Sequence, residues 1–177
     1  MHVILLMVQS INGKITQGET SDVSGWTSTE DKKLFAKEKE DHNLIVMGAG
    51  SYRVNKDRIK LSTKILRIVI TSDPKIYQSE TVAGQLEFTN DSPKILIQNL
   101  EARGYTKLLL LGGSDINALF FKSNVVDELR LTIEPYLFGT GKNLIGDQEI
   151  SANLHLVSVE KLNDTGTLHA IYMVNKS

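Results

Sequence analysis

The chain contains no cysteine among its 177 residues, which excludes disulfide bonds, thiol catalysis and thiolate metal sites. It has three prolines and no repeated or low-complexity tract, so the sequence predicts no linker between separate units. An excess of charge is lacking too, because 20 lysines and arginines face 21 aspartates and glutamates, for a net charge of -1. Without a basic stripe or a polybasic helix, neither nucleic acid nor a membrane surface is an expected partner.

Long hydrophobic runs are also missing. The apolar start, MHVILLMVQS, is too short for a membrane span and lacks the basic region and small-residue cleavage site of a secretion signal. We therefore expect a cytoplasmic protein. Residues 1–177 are expected to form one globular domain, because 41% hydrophobic residues in a chain of this length suffice for a core.

The most informative stretch runs from Lys107 to Phe121. Its four consecutive leucines stop at Gly112-Gly113, and a helical pattern follows at once. A short, wholly apolar run is typical of a parallel strand buried on both faces. The pattern predicts a strand, a glycine turn and a helix that is capped by Ser114 or Asp115 and carries Leu119, Phe120 and Val125 or Val126 onto the sheet. The free N–H groups at such a helix start suit an anion.

The remaining pattern predicts an α/β fold. Buried strands are predicted at residues 3–8, 44–47 and 66–71, an edge strand at 86–88, and helices at 29–41 and 93–103. Residues 128–133 and much of 154–162 and 167–174 alternate with period two, and Asn163 to Gly166 marks a hairpin. The sheet is therefore predicted to be parallel in the first two-thirds of the chain and antiparallel in the last third. Residues 14–25 are polar and are expected to form a mobile loop.

Three of these strands end in glycine turns, at Asn12-Gly13, Gly48 to Ser51 and Gly112 to Ser114, and Thr71-Ser72 closes a fourth strand. In an open α/β sheet, ligands bind beyond the carboxyl ends of the parallel strands. Together the turns favour a long, phosphate-bearing ligand such as a dinucleotide over a role in packing alone. The G-x-G-x-x-G fingerprint is absent, which argues against an ordinary Rossmann site.

Five motifs occur in a characteristic order: SINGKIT at 10–16, SGWT at 24–27, IVMGAGS at 45–51, LGGS at 111–114 and VDELRLTIEPYLFGTG at 126–141. In this the chain resembles the reductase domain of the bacterial riboflavin-biosynthesis deaminase–reductase, a member of the dihydrofolate reductase-like superfamily. The resemblance implies a three-layer α/β/α domain with a mixed, mostly parallel sheet and an antiparallel C-terminal hairpin. With no deaminase domain in front, we expect a stand-alone reductase.

The resemblance also implies NADPH as the hydride donor and a homodimer formed through the antiparallel end of the sheet. It implies that Trp26 lies over the site and that Ser24 and Lys39 face the ribose phosphate of the substrate. Lysine in place of the family arginine at position 39 keeps the charge but loses bidentate phosphate geometry. The positions implied to contact the cofactor are Ser10, Asn12, Gly13, Gly48, Ala49, Gly50, Ser51, Thr71, Ser72, Gly112, Gly113, Ser114, Asp115, Ile116 and Asn117.

Three departures from the family concern the substrate. The family has aspartate where this chain has Asn12 and glutamate where it has Leu111. It also has an Asp-Asp-Pro…Leu-Thr-x-Arg segment where residues 55–62 read NKDRIKLS. In the family these positions read the pyrimidine and its phosphate. The resemblance implies 5-amino-6-(5-phosphoribosylamino)uracil as the first expectation for the substrate. The three departures leave the identity of the substrate open.

A second likeness suggests an alternative substrate. Trp26, Asp31 and Phe35 share their spacing with dihydrofolate reductases, in which the carboxylate on this helix holds the pterin and helps to protonate it. A carboxylate in an apolar cleft can accept two N–H groups, and burial would raise its pKa. The competing interpretation of Asp31 is a solvated first-turn residue favoured by the helix dipole. Leu34 and Phe35 are predicted on the buried side of the helix, and the carboxylates at 30, 38, 40 and 41 on its wet side.

These observations predict an NADPH-dependent reductase that transfers a hydride to a C=O or C=N carbon of a pyrimidine or pteridine-like ring. Asp31 and Asn12 are the catalytic candidates, and the loop at 14–25 is the predicted lid. The alternative is a nucleotide-binding module with an eroded catalytic half, which Leu111 and the altered 55–62 segment favour. The histidines lack metal-ligand spacing and the serines lack a G-x-S-x-G context, so neither a metal site nor a serine hydrolase is expected.

Overall fold

The apolar runs of the sequence form the strands of one eight-stranded sheet. The computed structural model describes residues 1–20, 22–146 and 148–176. The strands are β1 (His2–Ser10), β2 (Leu44–Gly48), β3 (Leu66–Ile70), β4 (Leu86–Thr89), β5 (Lys107–Leu110), β6 (Glu128–Glu134), β7 (Asn153–Lys161) and β8 (Leu168–Asn175). The helices are α1 (Thr29–Glu40), α2 (Ala49–Asn55), α3 (Pro93–Ala102) and α4 (Ser114–Lys122), with 3₁₀ turns at Lys56–Arg58 and Pro74–Glu80. None of the helices in these described ranges is both long and apolar enough for a transmembrane span.

The spatial order of the strands is β4-β3-β2-β5-β1-β6-β8-β7. The six strands from β4 to β6 in this order are parallel, and β8 and β7 are antiparallel. The predicted hairpin is confirmed, because the Oδ1 of Asn163 accepts hydrogen bonds from the N–H groups of Gly166 and Thr167 at 3.1 and 3.0 Å. The predicted fold class, with a mostly parallel sheet and an antiparallel C-terminal hairpin, is therefore confirmed.

Strand β6 agrees with its prediction on one edge only. Its alternation predicts the start of the antiparallel part, and β6 does pair antiparallel with β8. On its other edge it pairs parallel with β1, from Ile4 opposite Glu128 to Ser10 opposite Glu134. The alternation has another cause. One face of β6 packs Leu129 and Leu131 into the main core, while its other face carries polar side chains beneath α1.

The helices lie on both faces of the sheet, which gives three layers. On one face α3 and α4 bury Leu96, Leu100 and Phe120 against the strands. On the other face α2 and the second 3₁₀ turn bury Tyr52 and Tyr77. Helix α1 lies on this second face, because it contacts the β6 side chains that alternate with the leucines of the first core.

Helix α1 buries charge rather than apolar side chains. Ser28 is its N-cap and accepts a hydrogen bond from the N–H of Asp31 through its side chain. The buried residues of the helix are Asp31 and Glu38, so the prediction that position 38 faces water is wrong. Phe35 is also misplaced by the prediction. It is 37% exposed, and the Lys39 ammonium lies 4.4 Å from its ring centroid.

Helix α4 begins without a side-chain cap. Gly113 occupies the N-cap position and no side chain bonds the first N–H groups there, so the prediction that Ser114 or Asp115 caps the helix is wrong. The Ser114 hydroxyl is used elsewhere, since it donates to the carbonyl of Asn143 at 2.6 Å. Leu119 is 38% exposed, so its predicted place on the sheet is wrong, whereas Phe120 and Val126 are buried in the core as predicted.

Candidate active site

The predicted ligand turns lie side by side at one edge of the sheet. Strands β3, β2, β5 and β1 are consecutive and parallel, so their carboxyl ends bring together Thr71-Ser72, Gly48, Gly112 and Asn12-Gly13. Three strand spacings separate the outer turns, a span of about 14 Å. The edge is therefore long enough for an extended ligand.

The two central glycine turns are bonded to each other. The N–H of Gly48 donates to the carbonyl of Gly112 at 2.9 Å, and the Ser51 hydroxyl lies 3.4 Å from both the carbonyl of Gly112 and the N–H of Gly113. Gly112 has φ +65, and a Cβ there would lie 2.4 Å from the Oδ1 of Asn117. Asn117 is fully buried and donates from Nδ2 to the Leu144 carbonyl at 2.8 Å. Only glycine fits this turn.

Other glycines at the edge leave room for a ligand. A Cβ at Gly13 or Gly50 would meet nothing within 4 Å, and one at Gly113 would meet only the Ser51 hydroxyl at 3.6 Å. The residues predicted as a second glycine turn, Gly48 to Ser51, in fact begin α2, and this helix also lacks a side-chain cap. Exposed first-turn N–H groups next to backbone without side chains suit a phosphate-bearing cofactor. The residues present therefore fit NADPH.

The predicted cofactor positions beyond the glycine turns differ in whether their side chains already contact other parts of the protein. Thr71 Oγ1 accepts a 3.4 Å hydrogen bond from the N–H of Asp73, and Ser72 is exposed. Asp115 is also exposed, whereas Ile116 packs against Gly48, where a Cβ would approach Ile116 to 2.7 Å. Their contacts with a cofactor stay predictions.

The turn after β1 is held by side chains that the prediction assigned to the nicotinamide. The hydroxyl of Ser10, fully buried, donates to the Oδ1 of Asn12 at 2.7 Å. The amide of Asn12 also bonds both the N–H and the carbonyl of Phe138. These contacts clamp the turn to the loop after β6. A catalytic role for Asn12 stays a prediction, and the observed role of its side chain is to hold the turn.

Trp26 is buried against the loop that follows β6. It is 5% exposed and meets the rings of Tyr136 and Phe138 edge to face, with centroids 6.4 and 5.2 Å away. Its Nε1 is buried and finds no hydrogen-bond acceptor among the described residues. A buried donor without a partner is costly, so the indole N–H is available to a ligand group.

Asp31 is buried beneath the start of α1, and the alternative of a solvated carboxylate is wrong. Its side chain is 9% exposed and accepts a hydrogen bond from the Thr132 hydroxyl. Burial raises the pKa of Asp31 to about 6, the Thr132 hydrogen bond opposes this rise, and the neighbouring Glu134 charge adds to it. A carboxyl group poised near neutral pH suits proton transfer.

A second carboxylate, Glu134, lies beside Asp31 at the end of β6. It is 2% exposed, and its two oxygens accept 2.7 Å hydrogen bonds from the N–H of Ser28 and the hydroxyl of Thr167. Sequence reasoning missed Thr132, Glu134 and Thr167. Two signals pointed to them. Polar residues alternate with leucine along β6, and α1 offers only two large apolar residues to cover that face.

The predicted substrate-phosphate residues are not gathered at this site. Lys39 lies eight residues beyond Asp31 on α1, about 12 Å along the helix. Ser24 is exposed, and its N–H donates to the carboxylate of Asp22 at 2.9 Å. Asp22 in turn pairs with Arg58 at 3.0 Å, which holds the pKa of Asp22 well below its usual range. This ion pair joins the predicted lid to the 3₁₀ turn after α2.

At the position of the family glutamate, Leu111 is half-buried and packs against the core on the α2 face. Its N–H continues the β5 ladder by donating to Val46. This position therefore carries an apolar side chain where the family has a carboxylate. Within the ranges that the structure describes, no cluster of three histidine or carboxylate side chains is arranged to hold a metal.

Comparison with known proteins agrees with this architecture. A family model of the RibD C-terminal domain matches residues 1–168. The uncharacterized protein YyaP of Bacillus subtilis is 25% identical over 181 residues, which span 98% of this chain and 95% of that protein. The structure is similar to a pyrimidine reductase-like protein from Corynebacterium diphtheriae, with a TM-score of 0.78 and 18% identity over 99% of this chain and 92% of that one.

It is also similar to dihydrofolate reductase from Enterococcus faecalis, solved with NADP(H), with a TM-score of 0.66 and 19% identity over 98% of this chain and 96% of that one. At these identities the solved structures establish the shared fold. Since the family model spans nearly the whole chain, the protein belongs to the RibD C-terminal domain family, and its fold is dihydrofolate reductase-like.

Proposed function

We propose that the protein is an NADPH-dependent reductase of a pyrimidine or pteridine-like heterocycle. The observation that carries the proposal is the buried Asp31, which lies on the α1 side of the same sheet edge as the bonded glycine turns. NADPH, when bound, supplies a hydride. Ser51, Gly113 and the first turn of α4 would hold the phosphates of the cofactor, because the backbone there is open and uncapped.

The chain's own contribution to the reaction is a proton and a dry pocket. With a pKa of about 6, the Asp31 carboxyl can hold a proton near neutral pH and deliver it to a ring nitrogen. In its ionised form it can accept the N–H groups that fix the ring. Burial of this carboxyl, which is 9% exposed, excludes water and strengthens its polar contacts.

Two substrates are proposed, and different observations favour them. Family membership favours 5-amino-6-(5-phosphoribosylamino)uracil as the first candidate. A heterocycle without a phosphate, of the pteridine type, is favoured by the cleft itself. Its carboxylates lie inside, while Arg58 is paired with Asp22 and Lys39 lies over Phe35.

The test is a panel assay that follows the loss of reduced nicotinamide with the phosphoribosylaminouracil, its dephosphorylated form, dihydropterins and small carbonyl compounds. NADH is run beside NADPH to establish the cofactor preference. Turnover of one heterocycle at saturating NADPH is the expected result. Cofactor binding without turnover of any compound would overturn the proposal in favour of a nucleotide-binding module.

We also propose that a second copy of this chain pairs along β7. This strand is the outermost of the sheet, and Leu156 and Val159 on its outward side are 46% and 54% exposed. An unpaired edge of nine residues with apolar side chains invites another strand. Antiparallel pairing about a two-fold axis between residues 157 and 158 sets Leu156 opposite Val159 and His155 opposite Glu160, a self-complementary arrangement.

The mass of the protein in solution, measured by sedimentation equilibrium, tests this pairing. Val159→Glu is expected to shift a dimer toward monomer, because it places like charges at the proposed axis. Leu137→Glu is the matched control, since Leu137 is 74% exposed and lies away from β7. A monomeric native protein, or a dimer untouched by Val159→Glu, would overturn the pairing.

A further inference from the structure

We propose that Glu134 is a positioning residue for Asp31, holding the start of α1 and setting the protonation of the carboxyl that this helix carries. The inference rests on the proposed function in one respect, namely that Asp31 is the group that acts. Glu134 itself lies behind the start of α1, where it bonds protein donors on both oxygens.

Two hydrogen bonds in series connect Glu134 to Asp31. Glu134 accepts from the backbone N–H of Ser28 at 2.7 Å, and the Ser28 hydroxyl accepts from the N–H of Asp31 at 3.2 Å. Ser28 is the N-cap, so its position determines where the first turn of α1 begins. Movement of the Glu134 carboxylate would therefore move Asp31.

The second oxygen of Glu134 ties this helix start to the last hairpin. It accepts from the hydroxyl of Thr167 at 2.7 Å, and Asn163 donates from Nδ2 to both Thr167 and Glu30. Glu134 is thus held between β6, α1 and the β7–β8 hairpin. A side chain fixed on both sides can in turn fix its neighbour.

Glu134 has no cationic partner in the part of the chain that the structure describes. None of the ion pairs there includes it. A buried carboxylate without a cation costs several kcal/mol, so mere space-filling would be better served by a neutral side chain. Its negative charge instead acts on the next acid, Asp31, whose proton it helps to retain.

The other charges near Asp31 are accounted for. Lys32, its neighbour on α1, opposes the effect of Glu134. Glu30 is bonded to Asn163. Farther along the contact between α1 and the sheet, Arg130 is bonded to Glu38 and Glu128. On β8, His169 lies opposite Thr132, and its burial holds its pKa below the ordinary value. Glu134 is therefore the acid whose charge bears most directly on Asp31.

The experiment measures the titration of Asp31 itself, by carbon NMR of the carboxyl groups, with Asp31→Asn identifying the signal. Glu134→Gln keeps the shape of the side chain and both hydrogen bonds, because the Thr167 hydroxyl can reverse its role. We expect this variant to lower the titration midpoint of Asp31 by up to roughly one pH unit, a tenfold change in proton affinity. An unmoved midpoint would overturn the proposal.

Positioning is separated from charge by a second pair of variants. Glu134→Ala should speed hydrogen exchange of the Ser28 amide at least tenfold, whereas Thr167→Val keeps the Ser28 bond and should leave that exchange near the native rate. If Glu134→Ala fails to fold, the exchange of the Ser28 amide is measured in Glu134→Gln instead. This variant is expected to keep the bond to Ser28, so faster exchange there would overturn the positioning role. Neither measurement needs turnover, so an inactive native enzyme would count against the proposed function alone.

Discussion

The two sides of the cleft are built from different materials. The glycine edge, formed by Gly48–Ser51 and Gly112–Asn117, is made of backbone that adjacent strands hold in place. The carboxylate site, formed by Ser28, Asp31, Thr132, Glu134 and Thr167, is made of side chains from α1, β6 and the last hairpin. Backbone N–H groups recognise phosphate in any sequence that keeps the glycines. Side-chain carboxylates are more selective for their ligand, so the proposed function assigns the substrate-specific chemistry to the α1 side.

The difference is also energetic. Gly112 and Gly48 fill a space that larger residues cannot enter, and their contacts bury no charge. The carboxylate site buries two acids that share no cation, an arrangement that destabilises the fold. A local cost of this kind is expected where function requires it. The comparison predicts that damage to one side spares the other.

The largest expected effect is on turnover. Asp31→Asn keeps the size of the side chain but removes the transferable proton, and should lower kcat by about 10²- to 10⁴-fold. Binding of NADPH should remain within about twofold of native, because the glycine edge is untouched. Steady-state kinetics and fluorescence titration of the cofactor measure the two quantities.

Parallel loss of turnover and cofactor affinity in Asp31→Asn would contradict the division of the cleft. Asp41→Asn is the matched control. Asp41 is exposed at the end of α1, and its replacement should change neither quantity.

Asp31→Asn should also stabilise the protein at alkaline pH. The folded protein binds a proton at Asp31 with a pKa of about 6, against an ordinary value of 3.8, so stability falls as pH rises between these values. Above pH 6 the ionised, buried Asp31 lowers the free energy of unfolding by up to about 3 kcal/mol. Asp31→Asn should remove it, as measured by urea denaturation near pH 8, and the gain should vanish below about pH 4. A gain that is independent of pH would show that packing is its cause.

How much the sequence predicts also separates the two sides. The glycine edge is predictable because its signals are local: an apolar run followed at once by glycine marks the end of a buried strand, as at Leu111-Gly112. Glu134 and Ser28 are 106 residues apart, and no local pattern indicates that they are bonded. Asp31 could be predicted only as one of two alternatives, since its burial depends on Thr132 and Glu134 from a distant strand.

The fold itself was largely predictable, with two instructive exceptions. Period-two alternation in β6 predicts the antiparallel part of the sheet, which begins on the β8 edge of this strand, whereas its β1 edge is parallel. The polar face of β6 is covered by α1, which buries Asp31 and Glu38. A helix that carries carboxylates on its buried side gives the same pattern as a helix facing water. Phe35 was predicted as buried for the same reason.

A smaller effect is expected from enlarging the glycine edge. A Cβ at Gly113 would meet only the Ser51 hydroxyl, at 3.6 Å. We expect Gly113→Val to fold and to weaken NADPH binding by roughly tenfold, about 1.4 kcal/mol. At saturating cofactor its turnover should stay near native. Undiminished NADPH affinity would contradict the cofactor assignment. Gly112→Ala is the contrast, because its methyl group would strike Asn117 and should lower the melting temperature first.

The smallest expected effect concerns the pKa of Asp31, which Thr132 lowers and Glu134 raises. The Thr132 hydroxyl donates to the Asp31 carboxylate and lowers its pKa. Thr132→Val keeps the volume and removes the donor, so the Asp31 midpoint should rise above about 6 by up to roughly one unit, about 1.4 kcal/mol. The alkaline limb of the pH–rate profile should move to higher pH with it.

Thr16→Val is the control, since Thr16 is also buried but bonds Gly18 and Lys142. If both variants move the limb alike, loss of a buried hydroxyl is the cause. Opposite movements in Thr132→Val and Glu134→Gln would establish that the two neighbours on β6 together set the proton affinity of Asp31.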